Sequence, residues 1–577
     1  MQSILRYIHR QRLLLVVLGL MGFAHIGLAS GWSPIAQTFS AFILFYLIPG
    51  VLLVEWLCGF GKNAPNLWDR LLWAGGAGYT VMTIGMLWIS YWPGGVGRAQ
   101  VVVLFDLLIF VLLAAYWWRS ERSASLPAGE ARSLPHHPPV WLTVLAVLAL
   151  LILGLFFRFK NLGYAEFLTD EARVVLRATA VVQGHEDVLF IHRKGPVEIL
   201  LPAALDAATG YLDETTARLP FAIASLLGLL AVFRLGWQFH SQFVGWIGAF
   251  LLLFDGYSIA FARFVQYQSV VLLTSAIAVL IVYRALRATH VEWQPLALAA
   301  SLVATGLLAH YDGAVVLIPL LFLLSGLRQG RSHYWPTVLR TLWIPTVVAA
   351  TLLLTFYVPF LGHTHFAATY DYLMGERIAG GAAFPYNNLY DVFRRSAVYN
   401  SLYYLIPTLL ALVMGMAWVY WRGYGRISGL LLSSLLVMLL AVTVWQTNWL
   451  RINGVDWLLF PVALLFVLIW LAPHIRLEER TLWLWFGGPF LLAHFLIAYP
   501  GTHVYVFFTP AVLLVGVVIQ QQWRHIRVWF GPRVATLSQA SLEVVAALLF
   551  GVYAYCFFVY NEVEILRVYE SNQPAGQ

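Results

Sequence analysis

The sequence predicts an all-α polytopic membrane protein, and three observations carry that prediction. Of 577 residues, 61% are hydrophobic and only 11% are charged, where soluble domains carry roughly 25% charged residues. The apolar residues fall in long blocks, and a bilayer-spanning helix needs roughly 20 such residues. The basic residues gather in every second short loop between those blocks, as positive-inside topology requires. The net charge of +8 is therefore spread over loops and is no nucleic-acid footprint.

Taken in order, the blocks are 13–29, 39–58, 71–91, 101–118, 140–157, 217–233, 242–255, 268–286, 295–309, 313–327, 340–360, 398–420, 427–446, 455–472, 482–498, 504–521 and 541–560. That makes about 17 spans. Leu13 to Ala29 has a basic flank in Arg6, Arg10 and Arg12. It has no small-residue cleavage site, so it reads as a retained first span. Cys58 and Cys556 fall in or beside apolar blocks, which gives neither a disulfide framework nor a metal-ligand spacing. Asp106, inside the fourth block, needs a partner there, because a lone intramembrane acid costs roughly 2.5–3.5 kcal/mol. There is no internal repeat and no low-complexity tract.

With the N-terminus inside, the inner segments hold 21 of the 35 Lys and Arg residues. One miscounted span would destroy that pattern. The same topology puts 18 of the 27 acidic residues outside, so the outer face carries the polar chemistry. Two outer loops are long. Loop 158–217 has helical periodicity at 171–183 and 196–208 around a Gly184–His192 turn region, which predicts helices lying at the membrane surface. Loop 361–397 holds the Gly-rich stretch Gly375–Gly381 and Pro385-Tyr386-Asn387-Asn388, which predicts a turn-rich cap. The Ser-, Pro- and Arg-rich segment 119–139 predicts a cytoplasmic linker. It separates a four-span extension, 1–118, from a module over 140–521; 522–577 adds an inner loop, a last span and an outer tail.

The most informative segment is Phe167–Arg173, which reads FLTDEAR. Asp170 and Glu171, just outside a membrane, suit a general base and its helper, or metal ligands. Thr169-Asp170 reads equally as a helix start, since such residues cap N-termini and acids suit the helix dipole. Downstream come His192-Arg193-Lys194-Gly195-Pro196 and then Ala217-Arg218-Leu219-Pro220 opening the next span.

This order resembles the first outer loop of the GT-C membrane glycosyltransferases, in pattern nearest the dolichyl-phosphate-mannose protein mannosyltransferases and the lipid A aminoarabinose transferases. There the loop runs Asp-Glu-x-Arg, a helix ending in Gly, a Lys-Pro-Pro-like element, a second helix, then Arg-Leu-Pro. The matching residues are Asp170, Glu171, Arg173, Gly184, Lys194, Pro196, Arg218, Leu219 and Pro220. Gly195 stands where the family often has the first Pro. A second match is Ala262-Arg263, followed in the family five residues on by an Asp, where this chain has Gln268. Asp255, or Asp312 in His310-Tyr311-Asp312-Gly313, is the candidate replacement; the bland readings are an interfacial anchor for Arg263 and a polar helix end for His310. A third match is Gly501-Thr502-His503-Val504-Tyr505 before Phe507-Phe508-Thr509-Pro510-Ala511. The resemblance is strongest over 140–290, extends loosely over 140–521 and leaves the first four spans outside.

What the resemblance implies is a GT-C-like bundle of about 13 spans after four extra ones. It also implies transfer of a sugar from a polyprenyl-phosphate donor to an extracytoplasmic protein, lipid or glycan acceptor, with inversion. Asp170 would be the base and Glu171 its helper. Lys194, Arg263, Arg377 and His503 would hold the donor phosphate, supported by Arg173, Asp255, Gln268, His310, Tyr311 and Asp312. A divalent cation is an open expectation, with Glu171 and Asp255 as candidate ligands; no Walker loop, dinucleotide fingerprint, haem or zinc motif is present. The rival classes are a transporter or flippase of lipid-linked intermediates and a non-catalytic subunit of a membrane complex. Transporters place ionisable residues near the midplane, often in paired repeats, whereas here the charges crowd an outer loop.

Overall fold

The computed structural model describes residues 2–31, 33–60, 64–122, 140–288, 291–326, 334–380, 384–446, 449–453 and 455–560. Most of the segment 119–139 expected as a linker, and the C-terminal tail expected on the outer side, lie outside these residues. The described chain is an all-helical polytopic bundle, and ten of its helices are long and apolar enough to cross a membrane. Five further apolar helices are shorter. Its described strands are a two-residue hairpin, Arg451–Ile452 against Val455–Asp456.

The first four blocks are α1 (Gln2–Ala29), α2 and α3 (Pro34–Phe42 and Ile48–Cys58, continuous through 43–47), α4 (Leu67–Ser90) and α5 (Arg98–Arg122). Then come α6 (Val140–Phe159) and the outer-loop helices α7 (Thr169–Val182), α8 (Val188–Ile191) and α9 (Val197–Thr209). The chain continues through α10 (Glu214–Phe239), α11 (Gln242–Phe254), α12 (Gly256–Ala260), α13 (Gln268–Arg287) and α14 (Trp293–Ala309). α15 (Leu317–Gly326), α16 (Tyr334–Leu361), α17 (His365–Asp371), α18 (Leu389–Tyr399), α19 (Leu402–Tyr424) and α20 (Arg426–Trp445) follow, then α21 (Leu459–Leu471) and α22 (Leu477–Leu491). The last, α23 (Phe508–Tyr555), is broken at Gly531, whose φ is 83°, followed by Pro532. Its second half returns beside its first: Phe550 packs on Phe254, while Gly516 lies against Val244 at the opposite end of α11. The two final blocks are therefore a hairpin of two helices.

Side-chain caps set several helix starts. Asn66 accepts from the Asp69 amide at 2.9 Å, and Asp213 accepts from the Thr216 amide at 2.8 Å. Each satisfies a donor that a helix terminus leaves open.

Loop 158–217 forms the two expected helices at one end of the bundle, but α9 is enclosed. Every residue of α9 except Asp206 is buried. A segment reading VEILLPAALDAAT is apolar nearly all round, and such a helix needs cover on every side. The N-terminal extension supplies it, with α2, α4 and α5 packing on α9. The joint is hydrogen-bonded as well: Val96 N donates to Val182 O at 2.7 Å, and Arg98 donates to Thr209 O at 3.0 Å. Gly184 permits it, having φ of +92° and a backbone close enough to Gly94 that a Cβ would stand 2.8 Å from it.

At the opposite end Asp69 of α4, fully buried, accepts from Arg234 of α10 at 2.6 and 3.0 Å and from Arg284 of α13. Removing one partner of a buried ion pair costs about 3–5 kcal/mol. Asp106 pairs with His25 of α1 at 3.1 Å, the intramembrane partner its burial cost required. Loop 361–397 is more helical than a turn-rich cap. Helix runs on from α17 to Ile378, and Asn388 ties the loop down by donating to Ala493 O and Ile497 O at 3.2 and 2.7 Å.

Candidate functional site

Asp170 and Glu171 are neighbours in sequence with opposite surroundings. Leu168 precedes the first helical residue, Thr169, so Asp170 is in the first turn of α7 and is not its cap. The Leu168 amide donates instead to Glu171 at 3.4 Å. Glu171 is 1% exposed. Arg218 grips both of its oxygens, at 2.9 and 2.8 Å, and the Val265 amide donates to one of them at 2.9 Å. Arg218 also donates to Leu162 O and Ala165 O and lies over the Tyr164 ring. Glu171 is thus the post that joins α7, α10 and the 261–267 loop. With both oxygens engaged it has no face for a cation or an acceptor. Asp170 is about a third exposed, 3.7 Å from Arg173.

Arg263 differs from expectation in the same way. It is fully buried and donates to Phe157 O, Lys160 O and Asn161 O at 3.3, 2.7 and 3.2 Å. These carbonyls end α6, where a helix leaves acceptors open and favours a cation. Its guanidinium is turned inward onto these carbonyls. Asp255 and Gln268 line one small internal cavity with Ser225, Ser258 and Tyr505. Asp255 caps α12 through the Ser258 amide at 2.8 Å and accepts from Asn400 at 3.2 Å. The carboxylate that shares this cavity with Gln268 is therefore a buried structural one.

The remaining candidates converge. Lys194 Nζ lies 3.4 Å from Glu198 Oε1 and 5.2 Å from the centre of the Tyr267 ring. Tyr267 stacks on His310, ring centres 3.9 Å apart, and its hydroxyl is 3.3 Å from His503 Nδ1. Asp312 meets His503 Nδ1 at 2.8 Å and His310 Nδ1 at 3.2 Å. Arg377 donates to Tyr372 Oη at 2.8 Å and to Tyr499 O at 3.2 Å, beside Gly501. So Lys194, Arg377, His503, His310, Tyr311 and Asp312, from four separate stretches, share one cluster. Gly195 makes the approach possible: a Cβ there would stand 1.8 Å from Leu308 O. No other residue type, Pro included, fits between this loop and α14.

Besides Tyr267, three further residues beside the cluster carried no expected role. Arg177 contacts His192 Nδ1 at 2.6 Å, and His192 Nε2 contacts Glu198. Arginine can only donate, so His192 accepts at Nδ1 and carries its proton on Nε2. Burial pushes the His192 imidazole down, and it is a neutral donor to an ionised Glu198. Burial pushes the Glu198 carboxyl up, but Lys194 and His192 outweigh that and hold it at about 2. Arg177 is seven residues after Asp170, on the same face of α7 and about 10 Å along it. The chain Arg177–His192–Glu198–Lys194 therefore links the helix bearing Asp170 to the basic cluster. The spacing Lys194 to Glu198, i to i+4, was the one sequence signal for it.

Residues 196–373 match the model of the Dolichyl-phosphate-mannose-protein mannosyltransferase family. That match supports a GT-C superfamily glycosyltransferase. The matched stretch holds Arg218, Arg263, Gln268, His310 and Asp312, and leaves Asp170, Lys194, Arg377 and His503 outside it. Among solved structures, apo ArnT from Cupriavidus metallidurans aligns at 13% identity and a TM-score of 0.38, covering 72% of this chain and 68% of that one. No curated protein matches.

Proposed function

We propose that the protein transfers a sugar from a polyprenyl-phosphate donor to an acceptor on the extracytoplasmic side of its membrane. The observation that supports this reading best is the convergence of Lys194, Arg377 and His503 at one end of the bundle, linked through Glu198, His192 and Arg177 to the helix that carries Asp170. A phosphate leaving group at a membrane edge needs cations in a lowered dielectric, where charge-assisted contacts are strong. Asp170, the exposed carboxylate of the pair, removes the proton from the acceptor hydroxyl. The acceptor oxygen then bonds to the anomeric carbon, while the bond from that carbon to the phosphate oxygen breaks. The lipid phosphate leaves with the electron pair, and one-step displacement inverts the anomeric centre. Glu171, Arg218 and Arg263 hold the scaffold on which this happens.

The test is turnover of radiolabelled polyprenyl-phosphate sugars by the purified protein, with binding of polyprenyl phosphate measured alongside. Wild type should release the lipid phosphate. Lys194→Ala should bind it at least ten-fold more weakly and turn over correspondingly less. Arg263→Ala should instead lose thermal stability. If wild type turns over no lipid-linked sugar, or if Lys194→Ala binds the lipid as wild type does, the reading fails. A flippase would move the lipid across vesicles without cleaving it.

A further inference from the structure

We propose that His310, Asp312 and His503 form a divalent metal site of the zinc class. Their ligand atoms all lie within 4.8 Å of one another. His310 Nδ1 faces Asp312 Oδ1 at 3.2 Å, and His503 Nδ1 faces Asp312 Oδ2 at 2.8 Å. Zinc binds imidazole nitrogen at about 2.0–2.1 Å and carboxylate oxygen at about 2.0–2.2 Å, so at a tetrahedral angle the two atoms stand about 3.3–3.5 Å apart. The His310 pair, at 3.2 Å, is within about 0.1 Å of that bite, and the His503 pair, at 2.8 Å, would open by about half an ångström on taking up an ion.

Hydrogen bonding alone does not account for the His310 side. The Asp312 amide points its hydrogen at His310 Nδ1, 3.1 Å away, so Nδ1 carries a lone pair and no proton. That lone pair faces a carboxylate oxygen at 3.2 Å, which is repulsive unless positive charge lies between them. The proton must then be on Nε2, which is fully buried and has no partner among the described residues. A metal ion that takes this lone pair, in place of the Asp312 amide hydrogen, supplies the missing positive charge. Two nitrogens and a carboxylate oxygen suit zinc, and three protein ligands leave a fourth position open. Tyr267, stacked on His310 and touching His503, walls the site.

The open position lies among cations. The charge of Lys194 reaches His310, and that of Arg377 reaches Tyr311 and Tyr267. An anion is the fitting fourth ligand. On the proposed function, this is a phosphate oxygen of the lipid donor, and the metal polarises it as the phosphate leaves. Because His310 and His503 are 193 positions apart in the chain, the ion would also pin the 497–507 segment to the turn after α14.

The experiment uses full-length protein stripped with a chelator, then loaded with Zn2+ or Co2+ alone. One zinc per chain should remain after buffer exchange. His310→Gln, Asp312→Asn and His503→Gln should each weaken its retention at least ten-fold, while His494→Gln, a buried histidine elsewhere, should keep it. His503→Cys with Co2+ should give a sulfur-to-cobalt charge-transfer band, which identifies the ligand even if a deletion variant folds poorly. Absence of stoichiometric zinc in wild type, or retention by all three variants, overturns the site and leaves a hydrogen-bonded triad only. Adding polyprenyl phosphate should perturb the cobalt spectrum. If cobalt binds but its spectrum ignores the lipid, the metal site stands and the lipid-phosphate donor assignment falls.

Discussion

Two adjacent carboxylates should fail in opposite ways. Asp170→Asn removes a group about a third exposed, whose ion pair to Arg173 spans 3.7 Å. Such a pair is worth about 0–1 kcal/mol, so the fold should scarcely change. Loss of a general base lowers rate by about 10²–10⁴, which is about 3–5 kcal/mol of barrier. Glu171→Gln takes a charge from a pair whose side chains are 2% and 0% exposed, with contacts of 2.9 and 2.8 Å. Stranding Arg218 costs about 3–5 kcal/mol of stability. The two energies are similar, but one appears in turnover and the other in melting. The assay is thermal unfolding in detergent beside transfer measured well below the melting temperature. Asp170→Asn should melt with wild type and be nearly inactive. Glu171→Gln should melt early. Should Asp170→Asn keep more than a tenth of wild-type turnover, Asp170 is not the base. Should Glu171→Gln melt with wild type, the buried pair is not the post described here.

Two further outcomes are expected. In a background without native cysteines, Arg394→Cys should react with an impermeant thiol reagent added outside cells and Arg426→Cys should not; the reverse would put the site on the cytoplasmic side. His192 sits below the ordinary imidazole value near 6.5, so the unfolded chain binds the extra proton first. Its contribution is complete above that value and lost as pH falls below it, at up to about 1.4 kcal/mol per pH unit. Melting of His192→Gln should therefore fall less than wild type between pH 7.5 and 5.5, and parallel curves would remove His192 from the chain to Lys194.

Helix positions were legible because hydropathy and length decide them locally. Each apolar block corresponds to a helix, including the weak blocks at 242–255, 295–309 and 313–327, which became Gln242–Phe254, Trp293–Ala309 and the run from Tyr311 to Ser325. What sequence could not supply was which charged group answers which. Arg218 and Arg263 look alike as basic residues near outer helix starts, yet both turn inward, because carbonyls and a carboxylate from residues 157–171 wait for them. Asp106 needed a partner, and the answer lay 81 positions away in His25. His310, Asp312 and His503 were each visible, but only the packing of α13, α14 and the segment before α23 makes them neighbours.

The first four spans, outside the family resemblance, are not an appendage. They cover α9, neutralise Arg234 and Arg284 through Asp69, and receive the Pro220 carbonyl with the Tyr79 hydroxyl at 2.5 Å. A chain begun at residue 140 would therefore insert with two arginines lacking their counter-charge and the apolar helix α9 laid bare. Pieces of this protein are inseparable in a way its modular sequence hides: the part that resembles a catalytic module leans on the part that does not.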